Sequence, residues 1–273
     1  MKRLYSILIL IVFVVIHSWG QDGGEEKNAN QLSKNLRKVS VVEGATKQLA
    51  DSAYKTEDFE AAAQMYESLL VMQGESPVYY YNLGNCYYKL GNITQSIICY
   101  ERAHLLDPGD ADTRTNLALA RGKTIDKITP PSEMFFITWA KAVVNCMSID
   151  KWAVVAIASF VLTLLLFLAY LFTSTIWMRK TGFYGAVAMI VLCVVANLAA
   201  YSQHQTLANR EYAIVIAPSI VVKSSPNESS TELFVIHEGS KVHIEDDSMK
   251  GWREIKLEEG KVGWVPIDAI EVI

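Results

Sequence analysis

Two stretches of this chain lack Asp, Glu, Lys and Arg altogether: residues 152–177, 26 in number, and residues 183–201, 19 in number. As helices rising about 1.5 Å per residue they reach about 39 Å and about 28 Å, against an apolar bilayer core of about 30 Å. A helix on the outside of a soluble core keeps a polar face; these two keep none. The pattern predicts a two-helix transmembrane hairpin, with transmembrane helices at 152–177 and 183–201, joined by Met178, Arg179, Lys180, Thr181 and Gly182. Short basic loops stay in the cytoplasm, so Arg179 and Lys180 put both flanks on the other side. A third, shorter apolar run covers residues 4–16, after Lys2 and Arg3 and before the small residues Ser18 and Gly20. That order reads as a signal peptide at 1–20. Residues 21–40 are polar, with too little apolar surface to offset the entropy of ordering, and read as a polar linker.

Ahead of the hairpin the pattern turns helical and repeats every 34 residues. Tyr54 and Lys55 recur as Tyr88 and Lys89, Asp58 as Asn92, Ala62 as Ser96, Tyr66 as Tyr100, and Leu69 as Ala103. Tyr80, Leu83, Gly84, Tyr87, Gly91, Tyr100, Ala103 and Pro108 give the second copy its character. Gly84 and Ser96 are small enough for two antiparallel helices to approach, Gly91 ends the first helix, and Pro108 separates the repeats. Spacing and residues resemble the tetratricopeptide repeat. The first copy matches less well, with Ala50 in place of Gly84 and Glu57 in place of the turn glycine. A third helix, residues 111–127, echoes Leu83-Gly84 with Leu117-Ala118 and reads as a cap. The all-α tetratricopeptide repeat domain is therefore placed at 41–128.

Pro130-Pro131 breaks the helix. Residues 133–150 then carry Phe135, Phe136, Trp139, Val143, Val144 and Met147 at helical spacing. Such a helix either lies at the membrane surface as an interfacial helix or packs on the repeats. After the hairpin, residues 213–273 switch to short strand runs separated by turn residues. The order Val222-Lys223-Ser224-Ser225-Pro226, Gly251-Trp252, Gly260 and Gly263-Trp264-Val265 resembles the bacterial Src-homology-3-type (SH3-like) barrel, a small closed all-β sheet. It departs at Lys223 and Ser225, where that family has Arg and Gly. In so small a sheet Trp252 and Trp264 are expected to be buried.

Charge and cysteines narrow the function. Residues 21–150 hold 17 acidic and 13 basic side chains, and residues 202–273 hold 12 and 7. Neither flank is a basic surface, which argues against a nucleic-acid partner. Cys86 and Cys99 face one another across the predicted repeat, either as a disulfide, which an oxidising compartment permits, or as buried thiols. The sequence holds no phosphate loop, zinc-protease His-Glu-x-x-His, nucleophile elbow or Cys-x-x-Cys. No catalytic, cofactor-binding or metal-binding residue is assigned, and no enzyme activity or cofactor is expected. His237 and His243 read as surface histidines of a hairpin. Asn197 is expected to bond across the two apolar helices.

The order of the whole chain resembles the tetratricopeptide member of the Bacteroidetes aerotolerance (Bat) operon proteins. That resemblance implies a bacterial inner-membrane protein, partners carrying von Willebrand A-type domains, and a part in oxidative-stress tolerance. The expected function is a non-enzymatic membrane scaffold with two periplasmic protein-binding modules; the alternative is a membrane-anchored protein that binds cell-wall peptidoglycan through the SH3-like part. The candidate peptide-binding residues are Asn82, Asn85 and Asn116. Asn82 and Asn85 share a helix face, and Asn116 lies one 34-residue step after Asn82. An asparagine amide both donates and accepts, so it can bind the backbone of an extended peptide.

Overall fold

The computed structural model describes residues 41–127 and 134–273. The signal peptide, the polar linker and the Pro130-Pro131 break lie outside these residues. The chain divides into two compact units, one containing residues 139–208, the other containing both the repeat region and residues 209–273.

Five helices form the repeat region: α1 (Lys47–Lys55), α2 (Phe59–Gln73), α3 (Pro77–Lys89), α4 (Ile93–Leu106) and α5 (Ala111–Arg121). Thr46, Asp58, Asn92 and Asp110 cap four of them, each side chain accepting a backbone N–H of the first turn, the bond an N-cap residue is suited to make. The turn before α4 uses Gly91 at φ 80°, and the matching turn before α2 bends Glu57 to φ 62°. The first copy thus reaches the same geometry with a residue that pays a steric cost for it. Gly84 admits no side chain, because a Cβ there would lie 2.7 Å from the Tyr100 ring. The 34-residue period extends to a hydrogen bond. Tyr66 donates to Asp51, and Tyr100, 34 residues on, donates to Asn85, the residue one period after Asp51. Cys86 and Cys99 are buried free thiols in the core of the repeats. Burial pushes the Cys86 thiol up to about 12 and raises Cys99 as well.

Seven strands follow: β1 (Tyr212–Val215), β2 (Ser219–Lys223), β3 (Glu232–His237), β4 (Lys241–Asp246), β5 (Trp252–Leu257), β6 (Val262–Pro266) and β7 (Ile270–Val272). They make one antiparallel sheet in the order β3-β2-β6-β5-β4-β1-β7. The expected closed sheet is not seen: among the described residues no pairing joins β3 to β7. Both edges are occupied otherwise. The register of β2 on β3 shifts at Val222/Lys223, the His237 N–H donates to Asp126, and Arg102 of α4 donates to the carbonyl of Val272. The tryptophans are partly buried but lie outside the core. On β5 the residues facing inward are Arg253, Ile255 and Leu257, and on β6 they are Gly263 and Val265. Strand alternation then turns Trp252 and Trp264 outward, where each is only half-buried. The core is aliphatic: Val215, Val222, Ile236, Val242, Ile255 and Val265.

The other unit holds two long apolar helices, α7 (Ile149–Phe172) and α8 (Ile176–Asn209), and the part of the short α6 (Phe135–Val144) from Trp139 onward. Both long helices have the length and composition to cross a membrane. Their boundaries differ from the expected ones. The break falls at Thr173, Ser174 and Thr175, and Met178, Arg179, Lys180, Thr181 and Gly182 lie in α8. Charge marked the wrong residues because a first helical turn carries long basic side chains easily; Arg179 lies 5.5 Å from the ring centre of Tyr170. The single interfacial helix at 133–150 is likewise two pieces, α6 and the first turn of α7, with a turn between. Along the hairpin Ala156, Ser159, Ala186, Cys193, Ala196 and Ala199 are buried. A Cβ at Gly182 would meet the Leu166 carbonyl oxygen at 2.9 Å. Asn197 does not bond across the helices: its amide donates to the Cys193 carbonyl one turn back, at 2.8 Å. The bond that crosses is from the Cys193 thiol to the Ala156 carbonyl, at 3.6 Å.

Candidate functional site

Helices α3 and α5 bring two of the three predicted asparagines together. Asn116 Nδ2 donates to Asn85 Oδ1 at 2.9 Å and approaches the Tyr81 hydroxyl at 3.2 Å. Asn85 Oδ1 also accepts from the Tyr100 hydroxyl at 2.6 Å. The 34-residue step places Asn116 one repeat along the array from Asn82; the residue it bonds is Asn85, 31 residues away. Residues one period apart are equivalent by translation along the array, whereas contact across it falls to residues offset by about a turn. Asn85 also occupies the position of Asp51, so its oxygen is part of the repeat's framework. All three asparagines are half-buried, and among the described residues the Asn82 amide has no side-chain partner.

The larger feature is a seam between the repeats and the sheet. Ile97, Ile98 and Tyr100 of α4 and Leu117 and Ala120 of α5 share one core with Ile214 and Ile273. Around it lie buried charges. Glu101, whose side chain is 2% exposed, takes Arg121 on one oxygen and Lys241 on the other, the latter at 2.8 Å. Burial by itself would raise the Glu101 carboxyl; Lys241 and Arg121 outweigh it and hold the group below its ordinary value. Arg102 bonds Glu271 and the Val272 carbonyl, both at 2.9 Å. Asp126 accepts from the His237 N–H at 2.7 Å and the Ser240 hydroxyl at 2.8 Å, and lies 2.9 Å from His237 Nδ1. Against its own desolvation, these bonds lower the Asp126 carboxyl. Thr94 donates to Glu238 at 2.8 Å, and Arg210 pairs with Glu75.

At the centre of the seam is the β3–β4 turn. Gly239 has φ 81°, and a Cβ on it would lie 2.6 Å from Thr124 Cγ2 and 3.2 Å from Ile97 Cδ1. Two independent constraints, a left-handed backbone and close approach, make the position glycine. His237 is therefore not a plain surface residue. The sequence offered one faint signal for all this. Glu101 and Arg102 stand inside the apolar pattern of α4, and α5 carries Leu117 and Ala120 with no further helix to cover them. A helix that ends an array needs a polar outer face, and here the sheet covers the apolar one.

Residues 77–110, which hold α3 and α4, match the family model of the tetratricopeptide repeat. The chain therefore carries a tetratricopeptide repeat, a module suited to protein–protein interaction. No curated protein matches the chain.

Proposed function

We propose that the protein is a non-enzymatic scaffold held in the bacterial inner membrane by the α7–α8 hairpin, with its repeats and sheet together in the periplasm. One observation carries the reading. The repeats and the sheet belong to one compact unit, yet α7 and α8 lie between them in sequence. If both helices cross the membrane, the chain before and after them returns to the same side. Arg179 and Lys180, near the α7–α8 break, favour the cytoplasm for that end.

The sheet in this reading is the SH3-like part, and the module order supports a likeness to BatE of the Bat aerotolerance proteins. From that likeness come the partners, membrane proteins with von Willebrand A-type domains, and the link to oxidative-stress tolerance. The peptide-binding surface is the face of α3 and α5 that bears Asn82, Asn85 and Asn116. Asn82 is the residue to test, since Asn85 and Asn116 also hold the fold. Crosslinking in native membranes, followed by identification of captured proteins, should yield membrane partners for the parent and fewer for Asn82→Ala of equal stability. Equal capture by both places the binding surface elsewhere. Reporters active only outside the cytosol, fused after Lys127 and after Ile273, should both be active; activity at one alone excludes the hairpin.

A further inference from the structure

Helix α6 ends against the long helices in an unusual way. A helix leaves its last carbonyls without partners, and here two side chains of the hairpin supply them. Trp152 Nε1 donates to the Val144 carbonyl at 2.9 Å. Gln203 Nε2 donates to the carbonyls of Val144 and Met147, both at 2.7 Å. Val143, Val144 and Met147 pack on Trp152, Ala196 and Ala199 beside these bonds. One residue from each long helix thus latches α6 and the turn after it to the end of the hairpin away from Thr173.

The apolar stripe of α6 does not stop where this contact stops. At about 100° per residue, Phe135, Trp139, Val143 and Phe136 fall within one arc of about 100°, with Thr138 and Lys141 on the other side. The hairpin covers Val143 only. Phe135 is 85% exposed, Trp139 71% and Phe136 53%. No acidic residue occurs from Met134 to Ile149. No residue of α6 is buried.

We propose that Phe135, Phe136 and Trp139 insert into the lipid surface, and that Gln203, a positioning residue, sets the depth at which they do so. The occupant follows from continuity. The stripe runs on from a contact with two helices whose own outer sides, at Val154, Ile157 and Val161 of α7 and Val191, Val194 and Leu198 of α8, are exposed and apolar. The medium that covers those sides also meets the stripe, at the level where aromatic residues favour the membrane–water boundary. The proposal rests on the membrane reading of the hairpin.

The test uses the full chain in vesicles of phosphatidylethanolamine and phosphatidylglycerol. Cys146 is replaced by Ser, and a nitroxide is attached to a cysteine placed in turn at positions 135, 136, 139, 161 and 250. Accessibility to oxygen reports lipid, and accessibility to a nickel chelate reports water. Labels at 135, 136 and 139 should favour oxygen as the label at 161 does, while 250 favours nickel. With Gln203→Ala or Gln203→Leu, the three labels should shift toward nickel and 161 should not. If 161 favours oxygen while 135, 136 and 139 behave like 250, the insertion is wrong and the hairpin stands. Labels at 161 that behave like 250 refute the membrane reading itself. Unchanged depth in both folded Gln203 variants overturns the role of Gln203.

Discussion

The hairpin and the repeat–sheet seam are both packed interfaces between distant pieces of chain, and they are built from opposite materials. Along the hairpin the buried residues, apart from Trp152 at the end away from Thr173, are small: Gly182, Ala186, Cys193, Ala196 and Ala199 on α8, Ala156, Ser159 and Thr163 on α7. Small residues let two helix backbones approach closely, and close packing then holds them together. The seam instead pairs buried Glu101 and half-buried Arg102 and Asp126 with partners 111 to 170 residues away. Such pairs add little net stability over an apolar core of the same shape, but they are costly to break singly. They fix one arrangement of sheet on helices, where aliphatic contacts alone would permit sliding. The difference teaches how each interface fails: the hairpin by size, the seam by charge and, at Gly239, also by size.

The largest effect is expected at Glu101. Glu101→Ala leaves Lys241 and Arg121 facing one another without their carboxylate, and should cost about 3–5 kcal/mol. Chemical denaturation of the full chain in detergent, followed by seam-specific fluorescence or hydrogen exchange, measures it. A cost under about 1 kcal/mol, typical of exposed pairs, would remove the contrast with the hairpin.

The same groups set an acid limit. Glu101 and Asp126 are held below their ordinary values of 4.5 and 3.8. Their contribution is therefore complete above those values and is lost as pH falls through the lower folded ones. His104 acts earlier: burial lowers it from 6.5, so unfolding takes up a proton once pH drops below 6.5. Seam stability should decline gently below pH 6.5 and steeply in the carboxylate range. The hairpin, whose contacts include none of these groups, should show no such profile. A seam equally stable across this range would overturn the assignment.

Size governs the next two cases. Gly182→Leu puts a side chain where even a Cβ comes within 2.9 Å of the Leu166 oxygen. Overpacking of this kind costs about 1–3 kcal/mol, visible as loss of hairpin compactness in detergent with the seam transition unchanged. Gly239→Ala should destabilise the seam by at least about 1 kcal/mol, since a φ above zero and a 2.6 Å approach both oppose it. Relief by Thr124→Ala would show that contact rather than backbone strain dominates. Smallest is Tyr100→Phe, which deletes the bond to Asn85 at a cost of about 1 kcal/mol, measured against Tyr66→Phe as its counterpart in the first repeat.

By itself the sequence determined the elements whose causes are local. The 34-residue period, Gly84 and Gly91 placed the repeat, because close helix approach and turn geometry demand those residues at those points. The uncharged runs located α7 and α8, since a helix without a polar face stands out from the amphipathic pattern of the repeats. Their ends were misjudged: a helical turn holds Arg179 and Lys180 as readily as a loop does, and the break went to Thr173–Thr175. Alternation in β5 and β6 was also in the letters, but the size of Trp252 and Trp264 outweighed it in the reading. Only the tertiary structure decided that Asn116 meets Asn85, that Asp126 caps the edge of β3, and that the sheet closes the repeat array. Those outcomes depend on pairing between residues 31 positions apart within the repeats and more than a hundred apart across the seam. No local pattern encodes which buried charge finds which, because each charge alone looks like an exposed residue until its partner arrives.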